Sequence, residues 1–520
     1  MSLAALPGTD LASAIVITPT PPADWLVIAP VVVPLLTGAL LLTLRHRMAL
    51  HGAVAVAGLA ATALCALLLF VRVSESGPVV MTMGRWLPPF GIAFAADALG
   101  ALFALVAAGV GLIAALYSLR DIGTADRRYG FYPFLMLMMA GVDGALLTGD
   151  VFNLYVWFEV FVISSFGLLV VGDDAARIDG AVKYAVLNLV ATTLFLIATG
   201  YLYGVFGTLN MADLHSRVAA AGPEAPVSTL AALYLAAFGM KAAAFPVNFW
   251  LPASYHTPRI VTSALFGGLL TKVGIYALLR VLVMIMPAER LALSSVIAAI
   301  AVATMLIGIA CALAQNDVRR MLGFVLISGI GVMLAGLALG NAAGLAGAIL
   351  YGVHSMLVTT ALYLLAGMMR AAGGSYSLDT LSGLYDRAPL LAASALLLAF
   401  AIAGLPPGSG LWPKVMLVKA SLDAGAGWLA AAILISGLLT TIAFGRVFLL
   451  AFWRGVAETR PAHQRRRTSR LAFVCLGALL LPSLAIGLYP EPFVAAATNA
   501  ANGLLDPAHY VGAVFPGGAR

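Results

Sequence analysis

The chain has 520 residues, 62% of them hydrophobic and only 10% charged, with a mean hydropathy of +1.02 and a formal net charge of +7. No soluble globular domain has this composition, which defines a polytopic, all-α membrane protein. The positive charge calls for no nucleic-acid partner, because it comes from arginines grouped in the connections between apolar runs.

The N-terminal stub, residues 1–24, lacks a basic region and carries Asp10 ahead of a Pro/Thr stretch, so it does not read as a signal peptide. Fourteen apolar spans follow, at roughly 25–44, 49–71, 98–119, 131–149, 151–171, 181–206, 230–250, 258–282, 291–313, 320–340, 344–369, 388–422, 428–453 and 470–488. A polar connection at 207–229 has room for a short interfacial helix. Cys65, Cys311 and Cys475 stand alone in apolar spans, without CxxC or Cys/His spacing, and read as small buried hydrophobes.

Orientation follows from where Lys and Arg fall in the connections, numbered by the span they follow. The odd connections hold Arg45, Arg47, Arg120, Arg127, Arg128, Arg177, Lys183, Arg259, Arg319, Arg320, Arg370, Arg387, Arg454, Arg460, Arg465, Arg466, Arg467 and Arg470. The even ones hold only Arg72, Arg85, Arg217, Arg280, Arg290 and Lys419. This bias puts the odd connections in the cytoplasm and both termini outside the cell membrane. The QRRRTSR run reads as a topology anchor.

Three of the chain's five lysines, Lys241, Lys272 and Lys414, fall in or beside apolar spans. A lysine in a membrane helix costs at least ~2.5 kcal/mol on insertion scales unless it meets a partner or a wet cavity. Lys241 and Lys272 flank a proline-rich break (Pro246, Pro252, Pro258), and Lys414 follows a second one (Pro406, Pro407, Gly408, Gly410, Pro413). Proline splits a membrane helix only where the freed backbone is buried in protein or lines a cavity. The broken spans, 7 and 12, are five apart and so run in opposite directions. That layout predicts two inverted five-helix repeats, spans 4–8 (131–282) and 9–13 (291–453). They are preceded by helices 1–3 (25–130) and followed by 454–520, a basic cytoplasmic loop, helix 14 and an external tail.

Glu159 is the one ionisable residue of span 5 and is predicted to face Lys241. Burial opposes the charged amine, whereas a carboxylate at about 4 Å returns ~4 kcal/mol at an effective dielectric near 20. Because the two effects are of comparable size, a change in separation could load or release a proton. A static pair holding helices 5 and 7 together is the alternative. His354 is the only histidine well inside a span; it is either a hydrogen-bonded packing residue or a proton carrier. Asp143 is a second buried-looking carboxylate, Asp97 a helix N-cap, and Arg446 and Lys419 can snorkel to the surface.

With these motifs the chain resembles the D-type chain of the Mrp-type multisubunit Na+/H+ or K+/H+ antiporters, relatives of the antiporter-like chains of respiratory complex I. The segments LTGDVFNLYVWFEVF, YAVLNLV, YGVFGTLNMADL, KAAAFPVNFWLPASYHTP, LFGGLLTKVGIYALLR and AIAGLPPGSGLWPKV carry the resemblance. It implies fourteen helices, inverted repeats, a central hydrophilic axis and assembly with other subunits of A, B, C, E, F and G type. By motif match, Glu159 is the glutamate of helix 5, Lys241 its partner in broken helix 7, Lys272 the helix 8 lysine and Lys414 the helix 12 lysine. The chain departs from many relatives at Thr359, where they carry a lysine five residues after the histidine; a hydroxyl can pass a hydrogen bond but cannot store a charge.

The expected function is that of a proton-translocating subunit of an antiporter driven by the proton motive force. It exchanges Na+ or K+ for protons through a Glu/Lys/His relay. It is a secondary transporter subunit, not an enzyme, and no cofactor or metal is assigned. The alternative is a proton-pumping chain of a quinone-linked NADH dehydrogenase or membrane hydrogenase.

Overall fold

The computed structural model describes Ile15 and residues 20–516, apart from 173, 223 and 456–468. Most of the N-terminal stub and Arg460, Arg465, Arg466 and Arg467 of the basic run therefore lie outside the described residues.

Among the described residues, fourteen apolar helical segments occupy the expected places. Ten are long and apolar enough to cross a membrane: α2 (Met48–Ser76), α3 (Ala98–Asp121), α5 (Val151–Val170), α6 (Ala175–Phe206), α8 (Ile260–Ile285), α9 (Ser294–Leu313), α10 (Val318–Leu339), α11 (Ala342–Gly373), α13 (Gly427–Trp453) and α14 (Arg470–Leu488). Four are shorter: α1 (Ala29–Thr43), α4 (Phe131–Leu147) and the first halves of the two broken helices, α7a (Val227–Ala242) and α12a (Pro389–Ala403). The second halves are α7b (Trp250–Ser254) and α12b (Leu411–Asp423). A broken helix stands fourth in each of the two five-helix runs, α4–α8 and α9–α13.

Connections of one parity gather at each end of the bundle, as up-and-down threading requires. At one end Arg259 pairs with Asp126 at 2.9 Å, Asp317 bridges to Ser377, and Arg454 donates to the Leu378 and Leu381 carbonyls. At the other, a two-stranded antiparallel hairpin (Val79–Thr82 with Ala93–Ala96) meets Thr148, and Asp150 bridges to Asn210. Asn210 caps the short helix Met211–Ala219, which the polar stretch at 207–229 was expected to hold.

α8 is buried along its whole length, and α11 is buried from Gly344 to Ala366. Pairs of glycines let them touch: a Cβ on Gly268 would fall 2.2 Å from Thr360 Oγ1, and one on Gly267 2.7 Å from the Tyr363 ring. α8 also departs from α geometry in two π-helical stretches, Phe266–Leu270 and Leu279–Ile285. Such stretches occur where a functional group interrupts the regular ladder.

Two expectations from the loop count are corrected. Arg280, counted above with the loop arginines, lies inside α8, where it is 1% exposed and paired with Asp97. Lys183 is likewise helical, pairing with Asp179 on the surface of α6. The tail after α14 folds into two helices, α15 (Glu491–Leu505) and α16 (Ala508–Val514), with α15 packed on α11 and α3. Arg446 reaches the end of α9 and caps it, donating to the Leu313 and Gln315 carbonyls and to Asn316. Asp97 caps α3 as expected, accepting from the Gly100 amide at 2.9 Å. Lys419 is exposed and paired with Asp423.

Candidate functional site

The breaks in helices 7 and 12 are built from the same materials. α7a ends at Ala243, held at φ +59°, and the Trp250 indole donates to the Met240 carbonyl at 3.2 Å. Thr304 of α9 accepts from the Phe245 amide beyond the break. α12a ends at Gly404, at φ +87°, and the Trp412 indole donates to the Gly487 carbonyl of α14 at 2.9 Å. A tryptophan one or two residues before Pro252 or Pro413 thus ties each break down, in helix 7 to the end of α7a and in helix 12 to α14.

Lys241 sits in the last turn of α7a, 4% exposed. Its Nζ donates to Asn188 Oδ1 of α6 at 3.4 Å and lies 5.8 Å from the centroid of the Phe158 ring. Glu159 is the charged neighbour that acts on it, but the two are not within ion-pair distance among the described residues. Glu159 is half-buried, and its Oε1 is enclosed without a hydrogen-bond partner. The expected facing pair is therefore a separated one. An amide stands on the lysine side, and the carboxylate retains an unmet acceptor.

α8 crosses α7a where a Cβ on Gly274 would touch Ala242, so Lys272 lies on the helix next to Lys241. Lys272 is fully buried, and its Nζ donates to the Gly267 carbonyl within the first π-helical stretch. The Gly267 surface also meets Thr359 of α11, whose methyl would lie 3.2 Å from an added Cβ. Thr359 thus borders the residue whose carbonyl receives Lys272. Its hydroxyl lies 3.4 Å from Ser355 Oγ, one turn back along α11.

His354 is adjacent to Ser355 in sequence and fully buried. Its Nδ1 is 2.7 Å from Ser409 Oγ in the break of helix 12, and Ser409 continues to Ser483 of α14 at 2.8 Å. Nε2 is enclosed without a partner. The charged groups that reach the ring are Lys414 and Lys272, which places His354 between the two halves. Lys414 lies just past the break, its Nζ donating to the Ala403 carbonyl at 2.7 Å and to that of Ile402 at 3.3 Å. It thereby turns back onto the carbonyl end of α12a, where the helix dipole favours a cation. A cavity of about 600 Å³ between α12 and α13 opens beside it.

The row runs Glu159, Lys241, Lys272, His354, Lys414, with Asn188, Thr359, Ser355 and Ser409 between them. Asn188 and Ser409 escape a reading of the sequence alone. Asn188 is the only amide of α6, and Ser409 lies within PPGSG, where a polar side chain beside a break is the available signal. Asp143 of α4 is fully buried with both oxygens unpartnered and belongs to none of these contacts.

Apolar helices, two breaks at matching places and a buried row of ionisable side chains mark a polytopic membrane protein of the kind that forms transporter subunits. The chain belongs to the NADH:quinone oxidoreductase/Mrp antiporter transmembrane family, which matches residues 148–440. It is 37% identical over 490 residues to the D chain of the Na(+)/H(+) antiporter of Bacillus subtilis, covering 94% of this chain and 99% of that one. It is 35% identical to the protein of the same name from Alkalihalophilus pseudofirmus, with the same coverage. Among solved structures it is similar to a chain of the Mrp complex from a Dietzia species, with a TM-score of 0.88, 31% identity and 95% and 99% of the two chains covered. A chain of respiratory complex I from Thermus thermophilus is similar too, with a TM-score of 0.81, 26% identity and 92% and 99% covered.

Proposed function

We propose that the chain is the proton-translocating membrane subunit of a multisubunit antiporter exchanging Na+ or K+ for protons, driven by the proton motive force. The observation that carries this reading is the buried file from Lys241 through Lys272 and His354 to Lys414, which crosses both repeats and touches both breaks. In it Glu159, Lys241, Lys272, His354 and Lys414 hold or pass protons, and the hydroxyls of Thr359, Ser355 and Ser409 bridge the stretch without a charge. The separation of Glu159 from Lys241 supports a pair that works by approach and retreat, because a carboxylate moving to about 4 Å returns ~4 kcal/mol to the charged amine.

In this reading the two runs 131–282 and 291–453 are inverted repeats, and the odd connections face the cytoplasm of a bacterial cell. Both termini are then external. The other subunits of the complex are its partners, since the relatives that support the reading are themselves antiporter subunits.

The test expresses the whole complex in an antiporter-deficient host and follows ΔpH in everted vesicles as Na+ or K+ is added. Wild type is expected to collapse ΔpH, and Lys241→Ala, at matched assembly, to lose the response. Equal responses would make Lys241 structural; no response from either would favour a redox-driven complex.

A further inference from the structure

Outside the file described so far, one polar cluster is fully built and has no role assigned to it. Between Lys272 and the far end of α8, Tyr276 and Arg280 are the only polar side chains. They follow Lys272 at i+4 and i+8 and so share its helix face. Arg280, roughly 12 Å along the axis from Lys272, spends its donors on three sides. Nε donates to the Tyr276 hydroxyl at 3.0 Å, Nη2 pairs with Asp97 at the start of α3, and Nη1 points to Met284 Sδ at 3.5 Å. Tyr276 in turn donates to the Leu146 carbonyl at the end of α4, at 2.7 Å. Above them lies Tyr510 of α16, its ring 5.4 Å from the guanidinium and its hydroxyl enclosed without a partner. Arg280 is 1% exposed, Asp97 5% and Tyr510 2%.

We propose that the Asp97–Arg280 pair, bedded on Tyr276 and roofed by Tyr510, seals the proton file from the outer side at Lys272. The proposal rests on the antiporter reading for what the path carries, and on the orientation above for which end is outer. A guanidinium keeps its charge at any physiological pH. A metal cation arriving from outside would therefore have to displace it from Asp97, and a water file cannot form while all three polar groups are engaged with one another. An arginine placed across a pore in this way is a general means of excluding protons and cations. The seal is assembled from α3, α4, α8 and the C-terminal helix, so movement of α8 against α3 and α4 would open it without unfolding any element.

The test uses the assembled complex in liposomes and reads the passive decay of an imposed ΔpH with no Na+ or K+ present, together with uptake of Rb+ as a probe cation. Asp97→Asn with Arg280→Gln removes both charges at once and is expected to speed the decay roughly tenfold or more. Lys241→Ala, which blocks exchange, should stay as tight as wild type. Tyr276→Phe keeps both charges and the ring and should leak several-fold; it decides the matter where the double variant does not assemble. Wild-type tightness in either assembled variant overturns the seal. Because the leak is read without exchange, absence of exchange in wild type would count against the antiporter reading and leave this comparison standing.

Discussion

Lys414 is held in place by a glycine. Gly404 closes α12a at φ +87°, and a methyl added there would lie 2.6 Å from Lys414 Cδ and 3.1 Å from Nζ. Gly404→Ala therefore carries two costs. The left-handed backbone costs roughly 1–2 kcal/mol for any residue with a Cβ. Displacing the amine from the Ala403 and Ile402 carbonyls forfeits a charged hydrogen-bond set worth roughly 1.5–3 kcal/mol. The second cost vanishes once the lysine is gone. Gly404→Ala should thus destabilise wild type by roughly 2.5–5 kcal/mol but a Lys414→Ala background by only about 1–2 kcal/mol. The assay is a double-mutant cycle on the purified complex, read as the midpoint of thermal unfolding, with exchange measured alongside. Equal costs of Gly404→Ala in the two backgrounds would refute the placement of Lys414 on the end of α12a.

Thr359→Val removes the hydroxyl that reaches Ser355 and should slow exchange by roughly two- to tenfold, as the loss of one hydrogen bond implies, whereas Thr359→Ser stays near wild type; vesicle ΔpH assays at matched expression separate the two. Asp150, just outside α5, accepts from the Asn153 amide at 2.7 Å, yet burial pushes its carboxyl up to about 6. A carboxyl raised in the folded state contributes its full stability below its ordinary range near 4 and loses it as pH rises towards 6. Thermal midpoints should accordingly fall between about pH 4 and 6 and level off above, and Asp150→Asn, which also caps a helix, should flatten that profile.

The spans are legible in the sequence because each is a long apolar run, and the breaks because clustered prolines leave no other reading. The lysines are legible for the same reason in reverse: a charge in such a run has few purposes. What escapes is partnership. Glu159 and Lys241 are both visible in sequence, but that Asn188 stands at Lys241 while Glu159 remains apart depends on how α5, α6 and α7a turn about their axes. Arg280 reads as a loop residue because it falls two residues from the end of its predicted span, where hydropathy cannot separate a snorkelling arginine from a paired one. Its partner, Asp97, is 183 residues away. The two C-terminal helices escape because α15, rich in alanine and asparagine, is too polar for a span. Its Pro-Glu start, a helix-opening signal, is the only cue.

The broken helices bear on how the chain enters the membrane in the first place. α7a has 16 residues and α12a 15, so each reaches only about 23 Å, short of a hydrocarbon layer about 30 Å thick. Neither half can settle across the bilayer on its own hydrophobicity, and α7a carries a lysine in its last turn. Their insertion must wait for neighbours: α6 and α8 for the first, α11 and α13 for the second. Chains truncated after residue 250 should leave helix 7 poorly inserted, and extension through α8 should restore it, as glycosylation mapping in membranes would read. The same breaks make this protein one whose biogenesis should be cooperative from its midpoint onward.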